Sequence, residues 1–299
     1  MRTAFIQALA RHARENPRIF LVVGDLGYSV VEPFAKEFPD RFLNAGVAEQ
    51  NMTGIAAGLA AEGYHVFTYS IANFPTLRCL EQIRNDVCYH NLPVTIVAVG
   101  SGLAYGNLGF SHHGIQDIAT MRCMPNLTLA SPADPGETRA CLGHLLQHPG
   151  PSYLRLGKAG EPALHSLPLA GLAPIEVISG DRPLAIVATG SILAVALEAA
   201  EELAREAIRP SVFSVPFLTP TDQGAFSRIW NCRNVISLEE HVLAGGLGSL
   251  LRELAPDGIR FRSLAVNPAA AHEVGSQSYL RQRNGLTAAA LLAAARTLA

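Results

Sequence analysis

The sequence contains few of the features that define stapled, metal-bound or membrane-spanning proteins. It has 299 residues but only five cysteines and one tryptophan, and no two cysteines form a CxxC pair. A chain of this length buries enough surface to fold without disulfides or a structural metal. The odd number of cysteines favours a reducing cytoplasm. Its apolar runs are too short to span a bilayer, so we expect no membrane association.

Charge is also scarce. Charged residues make up 16% of the chain, and 23 Lys and Arg against 25 Asp and Glu give a formal net charge of −2. The sequence shows no run of basic residues and no basic stripe interleaved with aromatics, so we expect no nucleic-acid partner. Hydrophobic residues reach 49%, which excludes disorder and predicts a globular protein.

Short β-branched runs such as Ile19–Val23 alternate with segments of helical period along the chain. This alternation predicts α/β architecture with a largely parallel sheet. Between Gly157 and Pro183 the sequence is rich in Gly and Pro and loses its periodicity, after which a second alternating series begins. We therefore expect two doubly wound α/β domains separated by a linker, with boundaries at 1–160, 161–182 and 183–299.

One segment gives the strongest indication of chemistry. Residues 44–63 read NAGVAEQNMTGIAAGLAAEG, and they follow a short predicted strand and begin a helix. Glu49 therefore lies in the first helical turn at the end of a strand, where the ligand crevices of open α/β sheets occur. Taken alone, this carboxylate could simply complement the helix dipole.

The segment resembles the pyrimidine-binding segment of transketolases and their thiamine diphosphate-dependent relatives. Residues 1–27, 78–86, 120–134 and 238–249 extend the resemblance, which covers nearly the whole chain and matches the second half of a transketolase. It implies a thiamine diphosphate pyrimidine-binding domain followed by a transketolase C-terminal domain. It also implies that Glu49 hydrogen-bonds N1′ of the cofactor's pyrimidine, since the protein must tune a cofactor that supplies the carbanion chemistry.

The resemblance assigns further cofactor-binding residues. Phe67, Tyr69 and Phe74 fall where the family packs aromatic rings on the pyrimidine, although each is also compatible with an ordinary core position. Asp25 matches the aspartate of an Asp-Leu pair near the cofactor, and Arg78 begins the matching segment RCLEQIRND. The implied site therefore draws on several separate segments of the chain.

One half of the expected cofactor site is missing from the sequence. Transketolases hold the diphosphate and a divalent cation through Gly-Asp-Gly and a later Asn, whereas the chain has Gly-Asp-Leu at residues 24–26. We predict no metal ligands in this chain, because several oxygen ligands and backbone amides would be needed. A partner with the N-terminal, diphosphate-binding half is expected to hold Mg²⁺ or another divalent cation. The resemblance implies an α2β2 heterotetramer with the cofactor at the interface.

The loop at residues 106–117, GNLGFSHHGIQD, matches the GEDGxTHQ loop of the family. His112 corresponds to the family histidine that reaches the substrate and the cofactor amino group, and His113 follows it. Imidazole titrates near neutral pH and suits acid–base work. Two adjacent histidines could instead bind a metal, but consecutive residues rarely converge on one ion and no third ligand is evident.

Several substrate positions depart from the family. Leu108 replaces an Asp that contacts a substrate hydroxyl, and Gly100 replaces a His that helps to hold the sugar phosphate. Lys158 stands in place of a phosphate-binding Arg, whereas Arg2 and Ser29 match phosphate-contacting positions. The departures predict a specialised small-molecule substrate, such as a small or modified ketose or hydroxyketone.

In the second domain, the triplet at residues 239–241, Glu-Glu-His, precedes a Gly-rich turn into a helix. A turn of this kind is a weak indication of phosphate binding at a helix N-terminus. The resemblance gives this domain mainly a role in assembly.

The expected function is transfer of a two-carbon ketol unit between a ketose-type donor and an aldehyde acceptor. Two alternatives share the pyrimidine-binding domain: the β subunit of a 2-oxo acid dehydrogenase, and an acyl transferase similar to 1-deoxyxylulose 5-phosphate synthase. Retention of Glu49 and His112 disfavours a non-catalytic scaffold subunit. An NAD-binding Rossmann domain is disfavoured because GxGxxG does not follow the first strand.

Overall fold

The computed structural model describes residues 1–169, 171–181, 183–270 and 272–298. Within these residues the chain forms two α/β units, each built on its own sheet, which confirms the predicted fold class. The strands are β1 (Ile19–Val23), β2 (Phe42–Asn44), β3 (His65–Ile71), β4 (Val94–Val99), β5 (Thr128–Ala130), β6 (Ser152–Leu156), β7 (Ile175–Ile178), β8 (Leu184–Ala188), β9 (Ser211–Ser214), β10 (Phe217–Thr219), β11 (Asn234–Val242) and β12 (Arg260–Val266). The helices are α1 (Arg2–Glu15), α2 (Glu32–Glu37), α3 (Glu49–Ala61), α4 (Leu80–Gln82), α5 (Asp117–Arg122), α6 (Pro135–Gln147), α7 (Leu193–Arg205), α8 (Ser227–Trp230), α9 (Leu247–Leu254), α10 (Gln277–Arg283) and α11 (Ala288–Leu298).

The first sheet has the strand order β10-β5-β6-β4-β3-β1-β2. Its pairs are parallel except that of β10 with β5. Successive side chains of a strand point to opposite faces, and helices cover both faces of this sheet. Leu21 and Val23 therefore pack with Phe5 of α1, whereas Val22 packs with Met52 of α3. The uninterrupted apolar runs in the sequence reflect this burial on both faces.

The second sheet has the order β12-β11-β8-β9-β7, with β7 antiparallel to β9. Strand β7 lies inside the range 161–182 that the sequence predicted as a linker, so we propose that the second unit begins at or before Ile175. Strand β10 follows β9 in the chain but joins the first sheet. Val187 and Val235 of the second sheet share one apolar cluster with Ile96 and Leu129 of the first. The two units are therefore joined by β10 and by one shared apolar cluster.

Parallel pairing brings the carboxyl ends of β1, β2, β3 and β4 to one edge of the first sheet. Helix α3 begins at Glu49 on this edge, shortly after β2 ends at Asn44. Gly27, after β1, has φ of 94°, and a Cβ there would lie 2.9 Å from the Tyr69 ring. Only glycine fits both the conformation and the space.

Among the helices that the structure describes, none combines the length and the apolar character that a membrane span requires.

Candidate active site

Glu49 is the buried carboxylate of this edge, with 1% of its surface exposed. Its Oε1 accepts a hydrogen bond from Ser70 Oγ at 3.1 Å, and its Oε2 accepts one from Arg78 Nη1 at 2.7 Å. A Cβ at Gly24 would lie 3.4 Å from Glu49 Cγ, an ordinary van der Waals distance, so this backbone passes close beside the Glu49 side chain. Two donors therefore fix the carboxylate without shielding it from the loops around it.

A cation–π contact and a ring–ring contact connect Arg78, the donor to Glu49, with His112. The Arg78 guanidinium lies 4.8 Å from the centroid of the Phe74 ring, a cation–π distance. The Phe74 ring in turn meets the His112 ring edge to face at 5.3 Å. The structure thus brings together Glu49, Arg78, Phe74 and His112, four residues that the sequence placed in one site.

The loop that contains His112 and His113 is fixed by the chain that follows β3. Asn73 Nδ2 donates hydrogen bonds to the carbonyl oxygens of Ser111 at 3.2 Å and His113 at 2.8 Å. Burial, together with the charge of His113, lowers the pKa of His112. His113 is itself buried, with Nε2 3.4 Å from the carbonyl oxygen of Gly106. His112 is therefore the histidine that faces outward from this loop.

A cavity of about 200 Å³ opens at the carboxyl end of β3. Tyr69 forms part of its wall, and Ser70, the donor to Glu49, forms another part. Burial raises the pKa of Tyr69, so its hydroxyl stays protonated at neutral pH. The wall includes Arg2, Gly27, Tyr28, Tyr69, Ser70 and Tyr105. The cavity therefore combines aromatic rings with one guanidinium and a serine hydroxyl shared with the carboxylate.

Asp25 and Ser29 lie on the loop after β1. Asp25 Oδ1 accepts a hydrogen bond from Asn44 Nδ2 at 2.9 Å, which ties this loop to the end of β2. Both residues adopt positive φ, 55° for Asp25 and 64° for Ser29. The Ser29 amide donates to Glu32 Oε1 at 2.7 Å, and its side chain is exposed. The side chain of Ser29, the predicted phosphate-contacting serine, is therefore accessible to solvent.

Three other predicted residues have different surroundings. Phe67 is fully buried and stacks on His65 at 4.8 Å, so it packs as a core aromatic, and its expected cofactor contact stays a prediction. Leu108 is 51% exposed on the histidine loop, away from the Glu49 carboxylate. Lys158 is exposed and lies with its ammonium 5.3 Å from the centroid of the Tyr105 ring.

Reasoning from the sequence missed Ser70, Asn73 and Tyr105. Ser70 is a polar residue at the carboxyl end of a buried strand, which is a position where ligand-binding side chains gather. Asn73 follows in the same loop, where a short amide suits hydrogen bonding to backbone. Tyr105 carries no comparable signal, because its position depends on the conformation of a loop. Among the described residues, no group of three or more His, Cys, Asp or Glu side chains could hold a metal ion.

A buried carboxylate that shares Ser70 with an aromatic cavity, at the carboxyl edge of a parallel sheet, is typical of the ligand site of an α/β enzyme. Residues 1–160 match the transketolase pyrimidine-binding domain, and residues 174–291 match the transketolase C-terminal domain. The chain belongs to the transketolase family, whose members depend on thiamine diphosphate.

Individual relatives agree with this assignment. The chain is 37% identical over 265 residues to one subunit of the apulose-4-phosphate transketolase of Actinobacillus succinogenes, which covers 86% of this chain and 85% of that protein. It is 36% identical over 301 residues to 1-deoxy-D-xylulose-5-phosphate synthase 1 of Geobacter sulfurreducens, which covers 97% of this chain but 46% of the synthase. A solved split-gene transketolase, described as an inactive β4 tetramer, matches with a TM-score of 0.86 and 36% identity over 99% of this chain and 96% of that chain. The predicted similarity to the C-terminal subunit of a split transketolase is confirmed.

Proposed function

We propose that this chain is the pyrimidine-binding subunit of a thiamine diphosphate-dependent transketolase that transfers a two-carbon ketol unit from a ketose-type donor to an aldehyde acceptor. The observation that carries the proposal is the Glu49 carboxylate, which is 1% exposed and accepts a hydrogen bond from Ser70 in the wall of an aromatic cavity. A buried carboxylate with its orientation fixed is a suitable partner for a ring nitrogen that must exchange a proton. Its surroundings therefore fit the pyrimidine of thiamine diphosphate.

When bound, the cofactor supplies the carbanion chemistry of the reaction. The chain contributes orientation and proton transfer. Ser70 and Arg78 fix the two carboxylate oxygens of Glu49. Phe74 and Tyr69 would provide apolar surfaces that exclude water from the pyrimidine ring. Asp25 fixes the loop after β1 through its hydrogen bond from Asn44.

We assign proton transfer at the substrate to His112. Burial and the neighbouring His113 lower its pKa, so the imidazole is neutral at pH 7 and can accept a proton from a substrate hydroxyl. Ser111 Oγ lies 2.9 Å from His112 Nδ1 and orients the ring. His113 supports the loop from within the core.

For the substrate we propose a small anionic ketose. Arg2, Lys158 and Ser29 supply two cations and a hydroxyl at the expected phosphate positions, whereas Leu108 offers no hydrogen bond to a substrate hydroxyl. An unpaired hydroxyl costs about 1–3 kcal/mol, which is enough to redirect preference among sugars. A relative named for apulose 4-phosphate is consistent with a specialised substrate.

A partner subunit completes the proposed site. Two apolar side chains near the site are exposed. Val47, just before Glu49 in the chain, is 76% exposed, and Tyr28, in the cavity wall, is 70% exposed. Exposed apolar groups at a ligand site favour coverage by another chain. We propose that an N-terminal transketolase subunit covers them, contributes the diphosphate site and Mg²⁺ or another divalent cation, and assembles as α2β2. The related β4 tetramer is described as inactive, which supports a need for that partner. A cytoplasmic location stays a prediction from the sequence.

The second candidate is acyl transfer of the 1-deoxyxylulose 5-phosphate synthase type, favoured by 36% identity to such an enzyme. The two candidates differ in the donor. A transketolase takes a ketose, and the synthase takes a 2-oxo acid.

The test is reconstitution with the candidate partner subunit, thiamine diphosphate and Mg²⁺, followed by a donor screen read as mass change of the aldehyde acceptor. Ketose donors should add two carbons with release of the shortened aldose, and either chain alone should be inactive. A 2-oxo acid as the preferred donor would replace the proposal with the second candidate. Absence of turnover with every donor would favour a scaffold subunit.

A further inference from the structure

Gly100 and Tyr105 occupy one space at the end of β4. Gly100 has φ of 85°, and a Cβ built on it would lie 2.1 Å from both Cδ2 and Cε2 of the Tyr105 ring. The ring is part of a compact side chain held by its loop, so it could not yield by a small adjustment. Position 100 therefore has no side chain because the Tyr105 ring takes its place.

The Tyr105 ring also lines the cavity that Tyr69 and Ser70 border. The His112 ring approaches it at 6.4 Å, edge to face. On another side the Lys158 ammonium lies 5.3 Å from the ring centroid. Arg2 is on the same cavity wall. Tyr105 thus stands between the proposed acid–base histidine and two cations.

The Lys158 ammonium is available to an anion, whereas the Arg2 guanidinium already acts on the Tyr105 hydroxyl. Lys158 has no hydrogen bond or ion pair within the described part of the chain other than its contact with the Tyr105 ring. Glu161 is the carboxylate whose charge acts on Tyr105, and it accepts a hydrogen bond from the Met1 amino group at 2.7 Å. Burial raises the pKa of Tyr105, while Arg2 opposes the rise. The phenol therefore remains a hydrogen-bond donor at neutral pH.

We propose that Tyr105 is a specificity-determining residue whose hydroxyl donates a hydrogen bond to the terminal phosphate of the substrate, between Arg2 and Lys158. This inference rests on the proposed function and narrows its substrate to a short phosphorylated ketose. The aromatic ring fills the space of a longer substrate, and the phenol supplies a directed donor that Lys158 does not. The Lys158 ammonium is a point charge that attracts any anion, whereas the added phenol donor favours an oxyanion at a fixed distance from His112.

The experiment compares Tyr105→Phe with the wild-type chain in the reconstituted complex. The matched control is Tyr64→Phe, because Tyr64 packs on Phe20 at 5.7 Å outside the site. Donor kinetics are measured with one ketose in phosphorylated and unphosphorylated form, and binding of inorganic phosphate is measured by calorimetry. Loss of one hydrogen bond to a charged group should raise KM for the phosphorylated donor and weaken phosphate binding by roughly 10-fold or more.

The unphosphorylated donor should show the same KM with Tyr105→Phe as with wild type, and kcat for the phosphorylated donor should change by less than about 3-fold. The control should match wild type in every measurement. An unchanged KM for the ketose phosphate, in an active complex, would overturn the role of Tyr105 and leave the proposed function standing. If the wild-type complex turned over no ketose, the proposed function would fail, and phosphate binding would still decide whether Tyr105 contributes to an oxyanion site.

Discussion

Two groups of buried carboxylates in this chain have opposite surroundings. One is Glu49, at the open edge of the first sheet. The other lies where the two α/β units meet, and we name it the interdomain cluster, defined by Asp117, Tyr153, Arg155 and Glu240. There Asp117 Oδ2 accepts hydrogen bonds from Tyr153 Oη at 2.6 Å and Arg155 Nε at 2.7 Å.

Most polar atoms of the interdomain cluster are paired among the described residues, although Asp117 Oδ1 has no hydrogen-bond partner there. Arg155 Nη2 also donates to the carbonyl oxygens of Gly114 at 2.8 Å and Glu240 at 3.0 Å. The Glu240 carboxylate accepts from Gln277 at 2.9 Å and from Arg281, which carries the bonding into α10. Charges that are paired with each other inside a protein fix the geometry of the groups around them.

Glu49 is buried to the same degree, but its only cation among the described residues, Arg78, is 46% exposed. Its donor Ser70 lines a cavity, and two exposed apolar side chains lie in the neighbouring loops, Tyr28 in the cavity wall and Val47 just before α3. The comparison indicates that burial alone does not identify a functional carboxylate. We expect a functional carboxylate to be buried while the space around it stays open to another molecule.

The sharpest test of the comparison is Glu49→Gln in the reconstituted complex. Removing a positioned acid–base group should lower kcat/KM by about 10²–10⁴-fold, while the amide preserves the shape of the side chain. Unfolding monitored by circular dichroism should show the midpoint of the wild type. Full turnover by the variant would place the chemistry elsewhere in the complex.

Asp117→Ala should have the opposite effect, a loss of stability. It leaves the buried Arg155 guanidinium without its carboxylate, and breaking a buried pair in this way costs about 3–5 kcal/mol in the free energy of unfolding. Chemical denaturation measures the change. The control is Glu253→Ala, which removes a carboxylate that is 59% exposed and paired with Arg122. Its effect should stay within about 0.5 kcal/mol. Equal stability of the two variants would contradict the structural role of the cluster.

Glu239, beside the interdomain cluster, gives a pH-dependent prediction. Burial raises its pKa from 4.5 to about 7, although the amides of Leu247 and Gly248 donate to it at 2.6 and 2.8 Å. Between these values the folded chain keeps a proton that the unfolded chain has lost. This group's stability contribution is therefore complete below pH 4.5 and declines as the pH rises to about 7.

Glu239→Gln removes this titration. Between about pH 5 and pH 8 the wild-type chain should lose roughly 2–3 kcal/mol of unfolding free energy relative to the variant. Denaturation midpoints measured at several pH values in that range decide the matter. Parallel pH profiles for the two chains would show that Glu239 is ionised throughout.

The sequence predicted the strands that are long, apolar and buried on both faces. β1 has the bounds Ile19–Val23 that its β-branched run indicated, because the run ends sharply at Gly24. The sequence did not predict β7 or β10. Both are short antiparallel edge strands, and β10 pairs with β5 across a long separation in the chain. Pairing of that kind depends on tertiary structure rather than on local pattern.

The site divides in a similar way. Glu49 and His112 belong to motifs with a fixed spacing, and the structure brings their loops together. For Phe67 the sequence left two interpretations open, because an aromatic ring on a buried strand suits a core as well as a ligand site, and its cofactor contact stays a prediction. The helix N-terminus at Leu247, weakly indicated as a phosphate site, is occupied by the Glu239 carboxylate. Contacts that depend on loop conformation, such as that of Tyr105 with Gly100, have no sequence signal.

The smallest expected effect concerns the weaker of the two donors to Glu49. Ser70→Ala removes one neutral hydrogen bond to this carboxylate but leaves the one from Arg78. A neutral bond contributes about 0.5–1.5 kcal/mol, so kcat/KM should fall by roughly 2- to 12-fold. Steady-state kinetics and calorimetry with thiamine diphosphate measure the change. If Ser70 only fills space, Ser70→Cys should match wild type, whereas a role in orienting the carboxylate predicts that the weaker thiol donor gives an intermediate rate. A loss as large as that of Glu49→Gln would mean that the serine hydroxyl itself takes part in proton transfer.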